Sequence, residues 1–140
     1  MKGEWGGGRG PAGERGDRVS DSWAGVSEAL AGDRASTVQR IAALTREFDG
    51  IVESAALGAT DDEHDPEGAT IAFERAQTAS LLEQARARLA DLDQAIRSIE
   101  AGIYGICEDC GQPISAERLA ARPAARTCIG CAARPADRSR

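Results

Sequence analysis

The chain has four cysteines, set as two C-x-x-C pairs: Cys107 with Cys110, and Cys128 with Cys131, with seventeen residues between the pairs. Thiolates at this spacing suit one tetrahedral Zn²⁺, because a two-residue gap lets a tight turn aim both sulfurs of a pair at one point, about 2.3 Å from the metal. Two other chemistries use C-x-x-C. A disulfide framework belongs to an oxidising compartment, and the opening run MKGEWGGGRG has no apolar stretch of the kind a secretory signal needs. A thioredoxin-like redox pair needs a βαβ setting, and no such pattern lies near either pair. The expectation is therefore one structural zinc held by Cys107, Cys110, Cys128 and Cys131 in a cytoplasmic protein.

The rest of the chain must position that site with little core material. In 140 residues there are 16 glycines and five aromatic side chains, so helix pairing and metal binding are the expected sources of stability. Residues 1–20 are glycine-rich and read as a flexible tail. Residues 21–106 read as helical. Trp23, Val26 and Leu30 suggest a short helix with Ser20 or Asp21 as its cap, ended by Gly32. A second helix runs from Asp33 to about Leu57, carrying Ile41, Leu44, Phe48, Ile51 and Ala55. A third begins near Ala69 or Thr70. Its apolar positions Leu82, Ala85, Leu89, Leu92, Ile96, Ile99 and Ile103 alternate steps of three and four, which is a heptad seam. Two such helices joined through 59–68 should fold back as an antiparallel coiled-coil hairpin. The predicted fold is mainly α: this hairpin with 59–68 at its tip, a four-cysteine zinc ribbon over 107–131, and an arginine-rich tail over 132–140.

Charge is distributed unevenly. The net charge is −6, which opposes general affinity for nucleic acid. From Glu47 through Glu74 there are nine acidic residues and no Lys or Arg, whereas Arg118 to Arg140 holds six arginines and one acid, Asp137. The tip carries Asp61, Asp62, Glu63, Asp65 and Glu67 beside the chain's single histidine, His64. These carboxylates lack the D-x-[DN]-x-[DN]-G spacing of a calcium loop. No Gly-rich phosphate loop and no Ser/His/Asp or Cys/His set is present, so the sequence does not read as an enzyme. No run reaches the length of about 20 apolar residues that spans a bilayer.

The residues between the cysteines carry a family resemblance. Cys107-Glu108-Asp109-Cys110, Ile114, Arg118, Pro123, Cys128 and Cys131 follow the pattern C-E-x-C, three residues, Ile, three, Arg, four, Pro, four, C-x-x-C. This resembles the C4-type zinc finger of the DksA/TraR family, and the preceding hairpin extends the likeness over most of 33–131. The resemblance implies a protein that binds bacterial RNA polymerase, inserts its hairpin tip into the secondary channel near the catalytic Mg²⁺ and alters initiation, in some members together with ppGpp. It implies that Asp61 to Glu67 act at that centre while the finger holds the rim. Ile114 and Leu119 would then pack beneath the metal, with Arg118, Arg122 and Arg126 offsetting the tetrathiolate charge. The tip departs from the D-x-x-D-x-A pattern of well-known members: either Asp65 and Gly68 fill the two places, with Glu67 beside them, or His64 and Glu67 do.

Two other readings compete. An Arg-rich zinc module could act as an adaptor for nucleic acid or another acidic partner, although 118–140 has no aromatic residue for base stacking, which argues against direct DNA binding. A heptad seam could also pair between chains and give a dimer.

Overall fold

In the computed structural model the described residues are 23–58 and 66–135. The expected tail over 1–20, the tip residues 59–65 and residues 136–140 lie outside them. Among the described residues four helices follow in order: α1 (Ala24–Leu57), α2 (Pro66–Glu100), α3 (Ala116–Ala121) and α4 (Ile129–Ala132).

The two long helices form the expected hairpin, but α1 is one continuous helix of 34 residues where the composition suggested two. Gly32 and Asp33 are both helical. A mid-helix glycine costs about 1 kcal/mol relative to alanine. That cost is outweighed because the buried stripe crosses it without interruption: Leu30, Thr37 and Leu44 are buried at seven-residue spacing, and half-buried Ile51 continues the series. Asp33, expected at the start of a second helix, therefore lies inside α1. Its carboxylate instead pairs with Arg88 on α2, and the next residue, Arg34, reaches Asp93 at 2.6 Å.

α2 starts at Pro66, earlier than the apolar periodicity suggested, because proline lacks the N–H that a first helical turn leaves unpaired anyway. Along α2 the stripe again recurs by sevens, through half-buried Ile71, buried Thr78, Ala85 and Leu92, and half-buried Ile99. Leu44 packs with Leu82 and Ala85, flanked by Ile41 and Leu81. The seam is thus closed within one chain. Thr37 donates its hydroxyl to the Asp33 carbonyl at 2.8 Å, which lets a polar side chain occupy a core position.

α2 ends in a Schellman motif. The Ile103 N–H reaches the Ser98 carbonyl at 2.9 Å, and the Gly102 N–H reaches Ile99 at 3.1 Å. Gly102 takes φ 74°, the left-handed conformation the motif requires. This overturns the placement of Ile103 on the seam: it lies beyond the helix and is 58% exposed.

At the base of the hairpin a second core joins the helices to the cysteine module. Leu30 and Leu92 are buried there with Ala95, Tyr104, Cys107, Ile114, Leu119 and Cys131. The Trp23 and Tyr104 rings meet edge to face, 4.8 Å between centroids at 71°. Among the described residues there is no β-strand in the module. The expected ribbon is reduced to one antiparallel bridge between Ile106 and Pro113.

Candidate metal centre

Each cysteine pair is shaped by its own turn. In the first, the Cys107 N–H donates to the Gln112 carbonyl at 2.8 Å and the Gly111 N–H returns to the Cys107 carbonyl at 3.0 Å. Gly111 takes φ 72° to close this knuckle. In the second, Cys128 stands at the N-terminus of α4 and its Sγ accepts the Cys131 N–H at 3.5 Å. The Cys128 N–H in turn donates to Cys107 Sγ at 3.3 Å, so the backbone of the second pair supports a sulfur of the first.

The four Sγ atoms converge to within 4.8 Å of one another. Zinc–sulfur bonds of about 2.3 Å in a tetrahedron put neighbouring sulfurs about 3.8 Å apart, and Cys110 and Cys128 are 3.8 Å apart. The electrostatics also fit a cation. Backbone N–H groups of Cys110 and Cys128 hold the Cys107 thiol down to about 6, from an ordinary 9.0. Cys128 is lowered in the same way, chiefly by the Cys131 N–H. Cys131 is pushed up to about 12, first by its hydrogen bond with Cys128 and then by burial. Four thiolates this close repel one another, and a divalent ion is what makes all four compatible.

The surrounding arginines do more specific work than diffuse charge compensation. Arg118 donates Nε to the Thr127 carbonyl at 2.8 Å, fixing the approach to the second pair. Arg126 spans both carboxylate oxygens of Glu108 at 3.0 Å and reaches Asp91 of α2 at 3.3 Å. Neither touches a sulfur. Among the described residues the arginine that does is Arg134, with Nη2 3.5 Å from Cys131 Sγ. Sequence reasoning passed over Arg134, although its place three residues after the last cysteine was a usable signal. Ile114 and Leu119 are buried in the cluster that contains Cys107 and Cys131, where they were expected. Tyr104 locks the exit from α2 by donating its hydroxyl to the Pro123 carbonyl at 2.7 Å.

Of the expected tip residues only Glu67 is described, and it stands apart from this centre. Asp61, Asp62, Glu63 and Asp65 lie outside the described residues, while Glu67 is exposed in the first turn of α2. A helix of 35 residues rises about 1.5 Å per residue, so the two ends of α2 are about 50 Å apart.

Residues 102–135 match the family model described as prokaryotic dksA/traR C4-type zinc finger. The RNA polymerase-binding transcription factor DksA of Caulobacter vibrioides is 50% identical over 40 residues, which cover 29% of this chain and 28% of that one. The uncharacterized protein YteA of Bacillus subtilis is 41% identical over 66 residues, 47% of this chain and 28% of YteA. These alignments span less than a third of the length of either relative. The structure of the transcription factor DksA2 from Pseudomonas aeruginosa superposes with a TM-score of 0.61 at 27% identity, covering 82% of this chain and 81% of that one. The cofactor is accordingly one structural zinc. By its finger over residues 102–135 and by its overall fold, the chain is similar to the DksA/TraR C4-type zinc-finger proteins.

Proposed function

We propose that this chain is a zinc-finger regulator of transcription that binds bacterial RNA polymerase and carries its acidic hairpin tip into the secondary channel. The observation that supports this most is the joint likeness of finger and hairpin to DksA2 over four-fifths of both chains. A two-helix rod rooted in a buried core is stiff enough to hold a tip at a fixed distance. Cys107, Cys110, Cys128 and Cys131 hold the zinc, and the zinc secures that root.

At the far end, Asp61, Asp62, Glu63, Asp65 and Glu67 act by charge on the polymerase's catalytic Mg²⁺ and its basic surroundings. No covalent chemistry by this chain is involved. The effect on initiation extends to the alarmone ppGpp where polymerase and this protein together bind it. The adaptor reading is weakened by the engagement of Arg118, Arg126 and Arg134 inside the finger.

The test is in vitro transcription with Asp65→Asn/Glu67→Gln, with and without ppGpp. The variant should keep its zinc and bind core polymerase, yet lose its effect on initiation. Regulation equal to wild type would remove the tip mechanism.

A further inference from the structure

The sulfurs of the metal centre are not supported in the same way. Cys107 Sγ accepts the Cys128 N–H at 3.3 Å and Cys128 Sγ accepts the Cys131 N–H at 3.5 Å, so the backbone of the finger itself holds these two ligands. Cys110 is exposed to water. Cys131 is buried, and a buried thiolate must find its donors in the protein. Among the described residues the N–H donor to Cys131 Sγ is a side chain, Arg134 Nη2 at 3.5 Å.

The local chain aims Arg134 at this sulfur. Past α4 the Ala133 N–H donates to the Ile129 carbonyl at 3.0 Å, and the Arg134 N–H donates to the Cys131 carbonyl at 3.2 Å. These bonds carry the turn on beyond the helix, and residues three apart on such a turn share a face. The guanidinium therefore returns over Cys131, although Arg134 as a whole is exposed.

Charge gives the contact its effect. Zn²⁺ with four thiolates carries two surplus negative charges, and Asp109 in the first knuckle adds a third. Arg126 is matched to Glu108 at 3.0 Å, and Arg118 directs its Nε to the Thr127 carbonyl at 2.8 Å. Among the described residues, Arg134 is the cation that meets a sulfur.

We infer that Arg134 is a positioning residue of the zinc site: by donating to the Cys131 sulfur and offsetting the charge of the tetrathiolate, it keeps Cys131 on the metal. The bond counters the mutual repulsion of the thiolates, the force that favours loss of a ligand. The hold on zinc is thereby set in part by a residue beyond the last cysteine. The inference rests on the zinc assignment and is independent of the polymerase reading.

Zinc competition against a chelating dye tests it on the full chain. Arg134→Met keeps the length of the side chain without charge or donors, and Arg134→Lys keeps the charge. Arg134→Met should bind zinc about tenfold more weakly, the low end for a group that supports a ligand, because Arg134 is exposed. Arg134→Lys should recover part of the difference. Cobalt reports on the sulfur itself. A hydrogen bond lowers the energy of the sulfur lone pairs, so in the Co²⁺-loaded protein Arg134→Met should move the sulfur-to-cobalt charge-transfer band to longer wavelength. The d–d bands of tetrahedral, four-sulfur Co²⁺ should persist, which shows that the site is intact. Zinc affinity equal to wild type would overturn the proposal. So would weaker binding with the charge-transfer band unmoved or the d–d bands lost, since Arg134 would then act through packing or folding and not through the sulfur.

Discussion

Arg126 and Glu108 hold each other twice: the guanidinium Nε lies 3.0 Å from both carboxylate oxygens, and the Glu108 N–H donates to the Arg126 carbonyl at 3.0 Å. Glu108 sits inside the first cysteine knuckle and Arg126 two residues before the second, so this pair keeps the knuckles in register. A third contact, from Arg126 to Asp91, extends the tie to the hairpin. Arg126→Ala should therefore weaken the finger. All three groups are well exposed, so screening limits the loss to about 0.5–1 kcal/mol, read from thermal unfolding. Zinc should also pass faster to a chelator. Arg126→Lys keeps the charge without the fork and should recover only part of the difference.

Zinc capture should depend on pH with a definite sign. Cys107, held at about 6, is already ionised at neutral pH, whereas Cys131, pushed up to about 12, must give up a proton to bind metal. Zinc uptake by the chelated protein should therefore release protons. Affinity should fall as pH drops, most steeply below about 6, where Cys107 takes up a proton too. Competition with a metal-sensitive dye across pH checks this; affinity independent of pH would contradict the four-thiolate assignment. Cys107→Ser should lose the metal outright and, with it, the near-UV dichroism of the Trp23–Tyr104 pair.

Gly105 joins hairpin to finger in a conformation that suits only glycine. Its φ is 84°, and a Cβ there would sit 3.2 Å from Leu119 Cδ1. Gly105→Ala should cost about 1–2 kcal/mol from backbone strain alone. Denaturant unfolding measures it, and a loss near zero would mean that the turn relaxes.

These positions show which features a linear reading reaches. The cysteine knuckles were legible because ligand spacing is set by local turn geometry, and the Leu82 to Ile99 seam because leucine and isoleucine mark a helical face. Thr37 and Thr78 were not, since a polar residue in a core stripe is tolerated only where the fold satisfies its hydroxyl. Gly32 looked like a stop because glycine is locally unfavourable in helices, yet packing of Leu30 and Thr37 on either side carries α1 through it. Ile103 fitted the period but falls past Gly102, where the Schellman motif turns the chain away. The arginine network was out of reach because Arg126 to Asp91 is a contact across 35 positions that only the tertiary fold creates.

The central claim is that the acidic tip reaches the polymerase active centre while the zinc finger stays outside. Replacing the polymerase's catalytic Mg²⁺ with Fe²⁺ and generating hydroxyl radicals there cuts any backbone lying close by. With the zinc-loaded protein bound, cleavage should be confined to the tip around residues 59–68 and should spare the finger. Cleavage within 107–131, or none in a complex shown to be assembled, would contradict the account.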